Sequence, residues 1–165
     1  MITFSTRPTL RRSITDVIED FRSSMRDVTV GGFTSLWDAL ALAEENITSY
    51  SEKFPGARKR IICLSDGEDT KSTYTAQEVC YALQVTLFLL LLKSQRSNIV
   101  LDSFIIGNEK NQDLRTVSYA YNLLVATAES VGPGDTNLHR KISTLQCLFA
   151  SSNLFFRRQT GRLLT

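Results

Sequence analysis

The chain has 165 residues, a formal net charge of +2 and 42% hydrophobic residues. Those values fit one globular domain with a core of its own and exclude an intrinsically disordered chain. The near-neutral balance makes no general case for nucleic acid or for a membrane surface. Acidic residues stop at Asp135, whereas Arg140, Lys141, Arg157, Arg158 and Arg162 follow, which reads as a solvated basic tail rather than a nucleic-acid patch. The three cysteines, Cys63, Cys80 and Cys147, form no Cys-x-x-Cys pair, which favours a reducing, cytoplasmic setting. Met1-Ile2-Thr3-Phe4-Ser5 lacks the basic and apolar regions of a signal peptide. His139 is the single histidine, which removes multi-histidine metal sites and any ordinary hydrolase triad.

In chain order, Ile2–Ser5 reads as a short strand and Arg7–Ile14 as a turn and a second, more exposed strand. Thr15 and Asp16 suit a helix cap, and Val17, Phe21 and Met25 recur at four-residue spacing, which predicts an amphipathic helix. Val28–Gly32 is a loop. Leu36, Leu40, Ala43 and Ile47 then share one helical face, with Thr34 or Ser35 as the cap and Phe54-Pro55-Gly56 as the stop. Ile61–Leu64 is a continuous apolar run of the kind found in buried parallel strands. Ala76, Val79, Cys80 and Leu83 predict another helix, Ile99–Ile106 another strand, and Leu114, Val117 and Tyr121 the start of a last helix. Val85–Leu92 is strongly apolar, yet too short for a bilayer, which takes about 20 residues. It reads as an aggregation-prone strand. Trp37 and Tyr81 are expected to pack rather than to serve as ligand platforms.

Alternating strands and helices predict an α/β fold with a parallel sheet and crossover helices. Thr34 lies on a glycine-rich loop at the mouth of a helix, and Asp66 at the carboxyl end of an apolar strand. In open α/β sheets that edge is where ligands and metals bind. A hydroxyl and a carboxylate are hard oxygen donors, better suited to Mg²⁺ or Ca²⁺ than to zinc.

Gly31-Gly32-Phe33-Thr34-Ser35-Leu36-Trp37-Asp38-Ala39-Leu40, followed by Arg60-Ile61-Ile62-Cys63-Leu64-Ser65-Asp66-Gly67-Glu68-Asp69-Thr70, resembles a von Willebrand factor type A domain over residues 1–120. The resemblance implies a doubly wound, mostly parallel, Rossmann-like sheet with helices on both faces. It also implies a metal-ion-dependent adhesion site with Thr34 and Asp66 as metal ligands, and Ser35, Gly67 and Glu68 on the face that meets a protein partner through its acidic side chain. Residues 121–165 depart from the family and read as an irregular, basic segment. The family's first strand, with its Asp-x-Ser-x-Ser motif, has no counterpart. The sheet is therefore expected to be incomplete, and Mg²⁺ to be held weakly or not at all. The missing motif and the extra Val85–Lys93 stretch are expected of a truncated reading frame with retained intervening sequence.

The function implied is a non-catalytic protein-interaction module. Two alternatives remain open. One is a haloacid-dehalogenase-like phosphatase with Asp66 as nucleophile, on the loose pattern Asp66-Gly67-Glu68-Asp69-Thr70. The other is a fragment of a larger von Willebrand A protein with no function of its own.

Overall fold

A computed structural model describes residues 1–54, 57–66, 68–83, 99–106 and 112–129. Over these the chain is a mixed α/β structure. Strands β1 (Ile2–Phe4) and β2 (Pro8–Leu10) form an antiparallel hairpin in which Ile2 faces Leu10 and Phe4 faces Pro8. Helices α1 (Ile18–Arg26) and α2 (Leu36–Lys53) follow, then strand β3 (Lys59–Ser65), helix α3 (residues 76–83), strand β4 (Ile99–Ile105) and helix α4 (Gln112–Glu129). Strands β3 and β4 pair in parallel from Lys59 opposite Ile99 to Ser65 opposite Ile105. Among the described residues the hairpin and the parallel pair remain two separate sheets.

Alternation explains how β3 and β4 are covered. Successive side chains of a strand point to opposite faces. Ile61, Cys63, Ile99 and Leu101 point inward and are buried. They meet Leu36, Trp37 and Leu40 of α2, Val79, Cys80 and Leu83 of α3, and Leu114, Val117, Tyr121 and Val125 of α4 in one cluster. Phe4, Ala43 and Ile47 pack against its margin. Helix α2 touches the hairpin as well as β3, so both small sheets rest on one helix. The opposite face of the parallel pair is open. Ile62, Leu64 and Phe104 are 67%, 60% and 57% exposed there, and Arg60 Nε pairs with the Asp102 carboxylate across the strands at 3.1 Å. Ile61–Leu64 is thus buried on one face only, which corrects the expectation of a strand buried on both.

The outer edge of β4 is closed by a side chain. In a parallel ladder the N–H and C=O of one residue point to the same neighbour and those of the next residue point away. Ile106 N–H donates to the Ser65 carbonyl at 2.9 Å, on the inner side. Leu101, of opposite parity, turns its backbone outward. There Asn122 Nδ2 donates to the Leu101 carbonyl at 2.7 Å, and Leu101 N–H donates to Asn122 Oδ1 at 3.0 Å. One amide side chain on α4 therefore stands where a neighbouring strand would be.

Three further points differ from the sequence reading. Helix α1 forms, but none of its residues is buried: Phe21 and Met25 are 45% and 48% exposed, and Thr15 Oγ1 accepts from Val17 N–H rather than capping the helix. Tyr81 is 68% exposed and packs little, whereas Trp37 is buried as expected. Helix α4 runs through residue 120, where the family resemblance ends, and Tyr121 and Val125 belong to the core. Val85–Leu92, Val85–Lys93 and residues 130–165 lie outside the described residues.

Asn122→Ala strips Leu101 of both side-chain partners. It should lower the unfolding free energy in urea by about 1–3 kcal/mol. Arg115→Ala, at an exposed position of the same helix, should stay within about 0.5 kcal/mol of the parent.

Candidate functional site at the start of helix α2

The loop before α2 depends on glycine. Gly31 and Gly32 have φ of 148° and 82°, and a Cβ on Gly32 would come within 2.8 Å of Thr6 Oγ1. An L-residue at position 32 would be strained in conformation and crowded in space. The loop delivers Thr34 half-buried at the helix mouth, with Phe33 58% exposed beside it and the Lys71 ammonium 5.8 Å from the centre of its ring.

The segment after β3 is tied to this loop. Thr34 N–H donates to Thr70 Oγ1 at 2.9 Å, and the Thr34 carbonyl accepts from the N–H groups of Thr70 and Lys71, each at 2.9 Å. At the start of a helix the first N–H groups have no partner within the helix. In α2 they are met from a distance. Leu36 N–H donates to Asp69 Oδ1 at 2.7 Å, and Trp37 and Asp38 N–H donate to Ser72 Oγ at 2.9 and 3.1 Å. Ser72 in turn donates its hydroxyl to Asp69 Oδ1 and its N–H to Asp69 Oδ2. The clasp is reciprocal, because Asp38 Oδ1 accepts from Thr73 and Tyr74 N–H at 2.8 and 2.9 Å. An ionised carboxylate suits this place, since the helix N-terminus carries partial positive charge.

The site residues expected from sequence fare differently. Asp66 is exposed, and its Oδ1 accepts from Glu68 N–H at 3.1 Å and from the Ser65 hydroxyl at 3.5 Å. Glu68 is exposed beside it. Gly67 lies outside the described residues. Ser35 must be corrected. It occupies the N-cap position without a side-chain cap bond, it is 0% exposed, and its Oγ has no partner among the described residues. A buried hydroxyl offers nothing to a protein surface. The capping role expected of Thr34 or Ser35 belongs to Asp69 and Ser72, which sequence reasoning missed because they lie 33–35 residues along the chain. The available signal was the density of short hydrogen-bonding side chains in Asp69-Thr70-Lys71-Ser72-Thr73. Helix α3, by contrast, has a local capping box: Thr75 Oγ1 accepts from Glu78 N–H, and Glu78 Oε2 accepts from Thr75 N–H and hydroxyl. Those bonds hold the Glu78 carboxyl below its ordinary value.

Thr34 and Asp66 carry oxygen donors, the chemical type that hard cations take. Among the described residues, no three His, Cys, Asp or Glu side chains form a metal-binding group. Thiol chemistry is disfavoured at Cys63 and Cys80. Both are buried, and burial pushes the Cys63 thiol up to about 11. No described helix is long and apolar enough to cross a membrane.

No family model matches the chain. Over 131 residues it is 28% identical to a protein of Acanthamoeba polyphaga mimivirus named as a probable bifunctional E2/E3 enzyme. The alignment takes in 74% of this chain but only 9% of that much longer protein.

Cys63 should resist iodoacetamide at pH 8 in the folded protein, where roughly a thousandth of the thiol is ionised, and label readily in urea. Mass spectrometry of its peptide gives the comparison.

Proposed function

We propose that this chain is a non-catalytic protein-interaction module of the von Willebrand A type, with a doubly wound, incomplete sheet. The observation that carries the reading is the clasp itself. It joins the Thr34 loop, with exposed Phe33, to the segment that begins with Asp66, where Asp66 and Glu68 stand exposed beyond the carboxyl end of β3. Oxygen donors next to an exposed aromatic ring suit a partner that brings an acidic side chain set in apolar surroundings. In this reading Thr34 and Asp66 hold Mg²⁺ or a similar divalent cation. The cation supplies an open position for the partner's carboxylate. Thr34 contributes a neutral oxygen and Asp66 a single negative charge, so the bound ion keeps net positive charge.

The relative adds context. A segment that aligns with a small share of a protein named as an E2/E3 enzyme suits a binding module carried within a larger enzyme. Burial makes Cys63 and Cys80 poor candidates for reactive thiols, and Cys147 lies outside the described residues. A cytoplasmic setting fits the reduced cysteines.

Mg²⁺ and Mn²⁺ titration followed by amide NMR tests the reading. Amides around Thr34 and Asp66 should respond with affinity of about millimolar order, as expected for a cation held by few oxygens. Thr34→Ala and Asp66→Asn should each abolish the response. If no amide of the parent protein responds, the metal-dependent mechanism is lost. Turnover of an aryl phosphate that disappears in Asp66→Asn would instead favour the phosphatase alternative.

A further inference from the structure

The backbone of Thr34 is fully committed. Its N–H goes to Thr70 Oγ1, and its carbonyl takes two N–H groups from Thr70 and Lys71. What remains of the residue for a ligand is the side-chain hydroxyl. The direction of that hydroxyl is set by two things: where the loop over residues 69–72 lies, and where α2 begins. Both are governed by the same pair of side chains. Asp69 Oδ1 holds Leu36 N–H, Asp69 Oδ2 holds Ser72 N–H, and Ser72 Oγ holds the N–H groups of Trp37 and Asp38.

We infer that Asp69 and Ser72 are positioning residues that couple the Thr34 loop to the Asp66 segment, so that the two halves of the site move as one body. Neither touches a ligand. Asp69 spends both carboxylate oxygens inside the clasp, and Ser72 uses its hydroxyl as donor and as double acceptor. The anionic charge of Asp69 is thereby consumed at a helix N-terminus and is not a ligand charge for a cation. Asp69, the third acid of the Asp66-to-Thr70 stretch, is thus assigned to the scaffold. The coupling rests on the reading above only for its metal arm; the clasp itself is built from hydrogen bonds between protein groups.

The test is amide hydrogen exchange, with metal titration run beside it on the full chain. Asp69→Ala and Ser72→Ala should speed exchange at Leu36, Trp37 and Asp38 by on the order of ten- to hundred-fold, the factor carried by one or two lost bonds to a charged or buried acceptor. Ser72→Thr keeps the hydroxyl and should restore slow exchange. Thr75→Ala, which uncaps α3 without touching the clasp, should leave these three amides unchanged and so separates coupling from general loosening. In Ser72→Ala the Mn²⁺ affinity, read at the amides of both Thr34 and Asp66, should weaken at least several-fold, while in Thr75→Ala it should stay at the parent value. Unchanged exchange at Leu36–Asp38 in both alanine variants overturns the inference. A Mn²⁺ affinity of Ser72→Ala equal to the parent's overturns it too. If the parent protein shows no metal response, the proposed function fails, and the exchange data alone decide the coupling.

Discussion

Leu36, Trp37 and Asp38 open a helix whose first turn is packed into the core, and their N–H groups cannot be left to water. Leu36 is 0% and Trp37 6% exposed. An unsatisfied donor in such a place costs about 1–3 kcal/mol. The chain meets the demand with Asp69 and Ser72 rather than with a neighbouring cap. That one choice determines where the segment after β3 must run. It draws the segment across the helix mouth, pins the Thr34 backbone, and leaves Asp66 and Glu68 facing outward. The candidate site is in this sense a by-product of finishing a helix.

The same helix carries the two sheets. The β1–β2 hairpin is three residues per strand, and an isolated pair of that size has no stability of its own. Its contact with α2 gives it a floor, and Phe4 joins the margin of the core. The parallel pair is better covered, yet on one side only. Its cohesion comes from the buried row of Ile61, Cys63, Ile99 and Leu101 and from the amide of Asn122 at the edge. The core is not free of cost, since Tyr121 and Ser118 bury hydroxyls with no partner among the described residues. Burial, with a smaller contribution from Glu44, raises the Tyr121 phenol and keeps it neutral.

Much of the local structure was legible because periodicity reports it directly. Leu36 and Leu40 predicted the buried face of α2; Leu114, Val117 and Tyr121 predicted α4; and the runs at Ile61 and Ile99 predicted two strands that do pair in parallel. Coverage was harder to foresee. An apolar run such as Ile61–Leu64 signals a strand, but whether Ile62 and Leu64 find a lid depends on elements elsewhere in the chain. The same holds for α1, whose spacing is helical although nothing described covers Phe21 or Met25. The clasp at the candidate site was not legible. Thr34 and Asp66 announce themselves by position after a glycine loop and a strand, whereas Asp69, Ser72 and Asp38 act across more than thirty residues, where local pattern carries no information.

Ser35 has a consequence for how this chain tolerates change. A serine at the N-cap ordinarily secures a helix start, and substituting it costs about 1 kcal/mol. Here its hydroxyl is enclosed and bonds to nothing described, while its carbonyl still accepts the Ala39 N–H at 3.2 Å. Alanine supplies that carbonyl equally well and removes a buried polar atom. The residue that looks most like a helix signal is therefore one whose hydroxyl the helix start does not use, and the chemical demand at this helix start falls on positions 69 and 72.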